Sequence, residues 1–459
     1  MTAGVPAESA ASSRPSLGTA YYMIGALFLL YLLAWLDRLT IAMLVEPIKE
    51  TLELGDFEMS LILGPAFAVS YALFAIPLGW AADHFPRRLV IFAGVAVWSL
   101  ATIACAFATS FHTLILARIF VGIGEAALLP AGYSLIADAF PKDRVTFATS
   151  LFQTAGKGGS ALAFGIGGLL IGFANTVDHL HWPLLGQAAG WQITFLLIGL
   201  PGLLLIFLVF TFPDPGRHNS GAHTRSADNS ANDISLADFV RRHAGLLGLM
   251  VLAFTCLAVT GYSMTSWVPT YIDRHFHWTP QQYGPALSLM NIFGAVALVG
   301  LGKAVDILFS RGLKDAHLRF YSWLILGLSP VIVSAFFVPD VHVFLGFYAL
   351  IQLITVPYIV YCFALVAMLA PNRLRGQLLG IFMFITNIIG FGLGPAIVGA
   401  LTDFLFRDAA MVGYSLAIVV ISGSTIAFFA MRFALPLLRR SIAMVEAGTE
   451  TEDSGKPAE

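Results

Sequence analysis

Charge is what this sequence has least of. Of its 459 residues only 11% are Asp, Glu, Lys or Arg, while 58% are hydrophobic. Soluble domains carry about 25% charged residues, so the composition excludes an aqueous globular protein and implies an integral membrane protein. A net charge of −2 argues against a nucleic-acid partner, which calls for a basic surface. Cysteine is scarce as well. Cys105, Cys256 and Cys362 all fall inside apolar runs, where they read as small buried hydrophobes rather than a disulfide framework. No GxxxxGK[ST] loop is present, so direct drive by ATP is not expected, and no GxSxG or HExxH motif supports an enzyme. The eleven histidines lie in loops, tails or the ends of apolar runs, which removes histidine as a proton carrier at mid-membrane. His179-x-His181 and His275-x-His277 are loop pairs without a carboxylate cluster beside them, and neither a metal nor any other cofactor is expected. The stretch before the first apolar run lacks the basic-then-apolar order of a signal peptide, so that run is expected to act as its own insertion signal.

What the chain has is bilayer-length apolar runs. They fall at about 20–45, 59–82, 88–109, 112–138, 146–173 and 190–212, and again at about 244–271, 281–308, 318–338, 341–370, 375–402 and 410–438. This predicts an all-α membrane protein of 12 spans in two six-helix bundles. The expected division is a disordered start at 1–18, a first bundle at 19–212, a linker at 213–243 rich in Pro, Ser, Asn and His, a second bundle at 244–441, and a disordered acidic tail at 442–459. With both termini cytoplasmic, one side collects Arg87, Arg88, Arg144, Arg241, Arg242, Arg311, Arg319 and Arg375, among other basic residues. The opposite side holds only Lys49, Arg274 and Arg407. Such an excess marks the cytoplasmic side of a cell membrane, expected to be the inner one.

The halves repeat each other. Gly79-x3-Asp83-x3-Arg87-Arg88 follows span 2, and Gly302-x3-Asp306-x4-Arg311 follows span 8. Pro141-Lys-Asp-Arg144 follows span 4, and Pro371-Asn-Arg-Leu-Arg375 follows span 10. The step from Gly79 to Gly302 nearly equals the step from Pro141 to Pro371, so both pairs agree on one duplication. Two parallel six-span halves suit a secondary transporter. On these motifs the chain resembles the major facilitator superfamily, with Pro86 where its signature loop has a glycine. The resemblance makes Asp83, Arg87, Arg88, Arg144, Asp306, Arg311 and Arg375 a cytoplasmic gate. Asp83 would dock on the start of span 11 when that side is shut, and Asp306 on the start of span 5.

A few ionisable residues sit well inside spans: Asp37, Arg38, Arg118, Glu125 and Lys157, all in the first half. A charge at mid-span costs about 2.5–3.5 kcal/mol on insertion scales, so their presence points to an aqueous cavity. Arg118 and Glu125 are seven apart in LARIFVGIGEAALLP, two turns on one helix face. With a helical rise of about 1.5 Å per residue, Asp37 and Arg118 fall at depths close enough to pair. Such a pair serves either substrate and proton, or helix register alone. Arg38 points about 100° away from Asp37, toward packing, a second pair or substrate. Lys157, between Gly156 and Gly158, is open between substrate contact and an ion pair. Gly122, Gly124, Gly156 to Gly168, Gly390 and Gly394 allow close helix crossing. The second half offers an apolar wall with uncharged polar groups: Tyr262, Ser263, Ser266 and Trp267 on span 7, Gln352, Tyr358 and Tyr361 on span 10, and Asn387 on span 11. The acidic run Glu46, Glu50, Glu53, Asp56 and Glu58 after span 1 reads as a solvated loop and helix start.

Asp37-Arg38 together with Arg118-x3-Gly122-x-Gly124-Glu125-Ala126 resembles the spinster-like transporters. That resemblance implies a monomeric carrier, driven by the proton gradient, for an amphipathic lipid of the sphingosine-1-phosphate or lysophospholipid kind. Asp37 and Glu125 would take the proton, and Arg118 would be their partner or the headgroup contact. An organic-anion or sugar-acid symporter, with Arg118 holding a carboxylate bidentately, is the alternative within transport. A membrane receptor or scaffold that no longer transports is the alternative outside it.

Overall fold

The computed structural model describes residues 15–141, 143–178, 181–182, 186–216 and 235–453, and the side chains among them except those of 157, 181–182, 372 and 445–453. Among the described residues, 12 helices are long and apolar enough to cross a membrane: Leu17–Met43, Asp56–His84, Arg87–Ala106, Phe111–Ala139, Val145–Thr176, Gly190–Phe210, Ala244–Phe276, Pro280–Ser310, Ala316–Phe337, Val341–Leu369, Arg373–Phe406 and Ala409–Met444. They are called spans 1 to 12 below. Helices are what a bilayer demands, because a backbone in hydrocarbon must satisfy its own hydrogen bonds. A two-stranded antiparallel hairpin pairs 181–182 with 186–187 in the loop before span 6.

Two expectations for segments outside the bundles are corrected. The tail expected to be disordered from 442 continues span 12 as helix to Asp453. Its Met, Glu and Ala residues extend a helix readily. The linker expected to be flexible over 213–243 ends in a helix, Leu236–Arg242, capped by the Ser235 side chain on the Asp238 amide. Residues 217–234 of that linker, with Arg217 and Arg225, lie outside the described residues, as do Lys142 and His179.

The ends of spans 1 and 12 share one side, the terminal side. The halves meet on the other, far side. There span 5 crosses span 8 where Gly168 faces Pro280 and Gly284, and span 2 crosses span 11 where Gly64 faces the Phe391 and Gly392 carbonyls. A Cβ at Gly64 would lie 2.6 Å from the Phe391 oxygen, so the backbones touch because a side chain is missing. Toward the terminal side the same spans diverge. A Cβ at Gly158, Gly300, Gly302, Gly376 or Gly380 would meet nothing within 4 Å. The halves therefore form a wedge, shut on the far side and open on the terminal side.

Spans 4 and 10 are interrupted at matching places. Span 4 is helical over Phe111–Glu125 and again over Leu128–Ala139, and span 10 over Val341–Thr355 and again over Tyr358–Leu369. Glu125 and Thr355 close the first segments, and the same internal repeat that relates Pro141 to Pro371 relates these two.

Candidate functional site

Spans 1, 3 and 4 bring four of the in-span charges together. Gly124 makes this possible: it lies against Gly94 and the Trp98 backbone of span 3, drawing span 4 in until its charged face meets span 1. Two ion pairs result. Arg118 Nη1 lies 3.5 Å from Asp37 Oδ1, with side-chain exposures of 0% and 1%. Arg38 Nη2 pairs with Glu125 Oε2, with exposures of 16% and 1%. Asp37 is further held by Thr102 of span 3, whose hydroxyl donates to Oδ2 at 2.7 Å. Of the roles left open for Arg38, the structure gives it the second pair. Glu125 takes Arg38 rather than Arg118 as its partner.

The arginines are lodged among aromatic rings. Arg38 lies over Trp35, Phe67 and Tyr71 at 4.9, 4.4 and 5.6 Å, and Arg118 is 6.0 Å from the same Phe67 ring. Such contacts replace part of a guanidinium's lost hydration. Phe67 meets Phe391 of span 11 edge-on at 5.3 Å, and Tyr262 of span 7 meets Phe391 at 4.9 Å. Tyr262 also donates to Asn387 Oδ1 at 2.8 Å. The charged centre of the first half is thereby roofed by aromatic residues of both halves. Lys157 falls on span 5 beside Gly156, which packs on Trp35 and Tyr31; its own side chain lies outside the described residues.

The rest of the expected second-half wall is corrected. Ser263 donates to the Gly394 carbonyl and Trp267 to the Pro395 carbonyl, so both tie span 7 to span 11. Gln352 packs where Gly294 leaves room, and Tyr361 stacks edge-on against Tyr321 behind the wedge. Ser266 and Tyr358 are buried inside the half. Polar groups in an apolar span are satisfied by neighbouring backbone when they face inward, and residue type alone does not give that facing.

The far-side closure was missed by sequence reasoning. Arg274 of span 7 spends all three guanidinium nitrogens there: Nη1 and Nη2 on Asp56 at 2.7 Å each, Nε on Glu46 at 2.8 Å, and Nη1 again on the Ala409 carbonyl at 2.8 Å. Lys49 pairs with Asp56 Oδ1, the oxygen that also takes Arg274 Nη2. Asp403 of span 11 accepts the Phe57 amide at 2.7 Å, capping the start of span 2 from the opposite half. Glu46 and Asp56, expected in a solvated loop, are therefore bridge residues, and Asp56 is fully buried. Glu58 keeps the expected helix-start role on the Gly55 amide. The signal available in the sequence was Arg274, one of few basic residues on its side.

On the terminal side the polar contacts among the described residues stay within one half. Arg87 is buried and pairs with Asp138 and, at 2.8 Å, with Asp214, while Arg88 holds the Phe212 carbonyl. Arg319 and Arg439 hold Asp315, and Arg375 donates to the Ala370 carbonyl. Asp83, Asp306, Arg144 and Arg311 are exposed. Among the described residues no group of three metal-type ligands occurs; His275 stacks on Tyr271 at 5.2 Å, and the side chain of His181 lies outside them.

A family model described as Major Facilitator Superfamily matches residues 27–395. Over 432 residues the chain is 27% identical to an MFS-type efflux pump of Mycolicibacterium smegmatis, covering 92% of this chain and 94% of that one. It is 25% identical to Protein spinster of Drosophila melanogaster, across 88% of this chain and 66% of the relative. Its fold matches a bacterial homolog of the human lysosomal transporter Spinster, solved in an inward-facing, unoccupied conformation, with a TM-score of 0.78 at 22% identity over 94% of this chain and 99% of that one. With a model spanning most of its length and spinster proteins among its relatives, this multi-pass membrane transporter belongs to the Major Facilitator Superfamily.

Proposed function

We propose that the chain is a proton-coupled secondary transporter that moves an amphipathic, lipid-like substrate by alternating access. The observation that carries this reading is the pairing of buried carboxylates with buried arginines, Asp37 with Arg118 and Glu125 with Arg38, at the apex of a wedge between halves. A carboxylate removed from water holds a proton more readily, and an arginine beside it opposes this. Movement of the arginine then exchanges the proton, with no further cofactor. A charged first-half wall beneath the aromatic roof of Phe67, Phe391 and Tyr262 suits a molecule with a charged head and an apolar tail. The names of the relatives, an efflux pump and a bacterial homolog of a lysosomal transporter, support transport as the activity.

In this reading the basic terminal side faces the cytoplasm of a cell bounded by its inner membrane, both termini are cytoplasmic, the protein acts as a monomer, and the wedge is the inward-open state. Asp83 and Asp306, with Arg87, Arg88, Arg144, Arg311 and Arg375 around them, form the cytoplasmic gate. The bridge of Arg274, Asp56, Glu46 and Asp403 forms the outer one.

A second reading, a symporter of small organic anions, is favoured by one detail. None of the three nitrogens of Arg118 makes a hydrogen bond among the described residues, leaving a planar fork of the kind that binds carboxylate. Uptake into proteoliposomes under an imposed pH gradient tests both, with a labelled lysophospholipid and a small carboxylate offered side by side. Gradient-dependent uptake of the lysolipid alone is expected. Uptake of the carboxylate alone establishes the second reading, and uptake of neither, with binding retained, points to a receptor.

A further inference from the structure

Thr102 lies closer to Asp37 than the arginine does. Its hydroxyl reaches Asp37 Oδ2 at 2.7 Å, and both side chains are buried. Arg118 stands 3.5 Å from Oδ1, beyond the roughly 2.7–3.2 Å of an N–H···O hydrogen bond. The arginine attracts the carboxylate, and the threonine sets its direction. Of the groups around Asp37, Arg38 lies on its own span, Cys105 on span 3, and Arg118 and Glu125 on span 4. Span 6 has no titratable residue between Gly190 and Phe210, and the Lys157 side chain of span 5 lies outside the described residues. Among these only Arg118 comes within ion-pair distance, and only Thr102 within hydrogen-bond distance.

From this geometry we infer that Thr102 is a positioning residue for proton exchange at Asp37, holding the acid in one orientation in both of its protonation states. The inference rests on the proton-coupled reading. A threonine hydroxyl has one proton to give and two lone pairs to accept with. Toward the ionised carboxylate it donates. When a proton binds Asp37, the new carboxyl O–H donates to the threonine oxygen. The threonine proton then turns to the carbonyl of Trp98, four residues back, a bond that helical threonine makes readily. The hydrogen bond reverses instead of breaking, so the carboxyl keeps its orientation through the exchange. Because the bond to the charged form is the stronger of the two, the threonine also favours release.

The test compares Thr102→Val, which keeps the shape, Thr102→Ala, which removes the same hydroxyl with a different volume, and Thr102→Ser, which retains it. The readouts are the pH dependence of spin-label distances across the terminal side and of uptake in proteoliposomes. Both hydroxyl-free variants are expected to respond at about tenfold lower proton concentration than the wild type, and Thr102→Ser to stay within about twofold. A packing role alone leaves the pH midpoint where it is. A wild type that responds to pH, with all three variants at its midpoint, overturns the inference alone. A wild type with no pH response overturns the proton-coupled reading and the inference together.

Discussion

The two ion pairs differ in what remains when their anion is removed. Breaking a buried pair by deleting one partner costs about 3–5 kcal/mol, because a charge is left without compensation. Asp37→Asn strands Arg118, which has no access to water. Glu125→Gln strands Arg38, which is part exposed and keeps the faces of Trp35, Phe67 and Tyr71. Asp37→Asn is therefore expected to lower the melting temperature in detergent clearly more than Glu125→Gln does, and equal losses would contradict the asymmetry. In transport, both variants are expected to abolish gradient-driven uptake, while Glu125→Gln retains substrate binding. If both keep the wild-type pH response, the proton sites lie elsewhere. These residues were legible because a charge in an apolar run stands out. Which arginine faces which acid was not, since that depends on the rotation of span 1 against span 4. Ser263, Trp267 and Tyr361 were misplaced for the same reason of rotation.

At the scale of an element, span 2 begins with a glycine where a capping side chain is usual. Gly55 has none to offer, and Asp403 supplies the cap from the other half. A Cβ at Gly55 would lie 2.7 Å from Asp403 Oδ2, so Gly55→Ala is expected to dislodge the carboxylate. Losing a cap costs about 1 kcal/mol, enough to change a two-state population several-fold. Cysteine accessibility on the far side should rise in Gly55→Ala, and rise less in Asp403→Asn, which keeps an acceptor oxygen. No change in either would remove the cap from the gate. Span limits were legible to within a few residues, because apolar length is a local property. The cap was not, since its two parts are 346 residues apart in the chain.

At the scale of the whole molecule, alternating access as proposed requires the gates on the two sides to oppose each other. Asp56→Asn weakens the far-side bridge to Arg274 and should shift inter-half distances toward a far-side-open state. Asp83→Asn removes a carboxylate that is exposed here and needed only when the terminal side shuts. It should shift the same distances the opposite way, toward the wedge described above. Double electron–electron resonance between labels on the two halves reads both, and shifts of the same sign would refute the opposition. Twelve spans, the six-and-six division and the internal repeat were legible from hydropathy and two loop motifs. The conformer was not, because the same contacts in the chain allow either side to close.

The interruption of span 4 puts Glu125 at a joint. In the second half the matching joint is plugged: the Tyr321 hydroxyl seals the Ile354 carbonyl beside Thr355. After duplication, one copy kept a stiff elbow and the other a charged one. In the proton-coupled reading, a proton arriving at Glu125 would change the load on that joint as well as the occupancy of a site. At that acid titration and bending would coincide, with no relay between a sensor and a moving part.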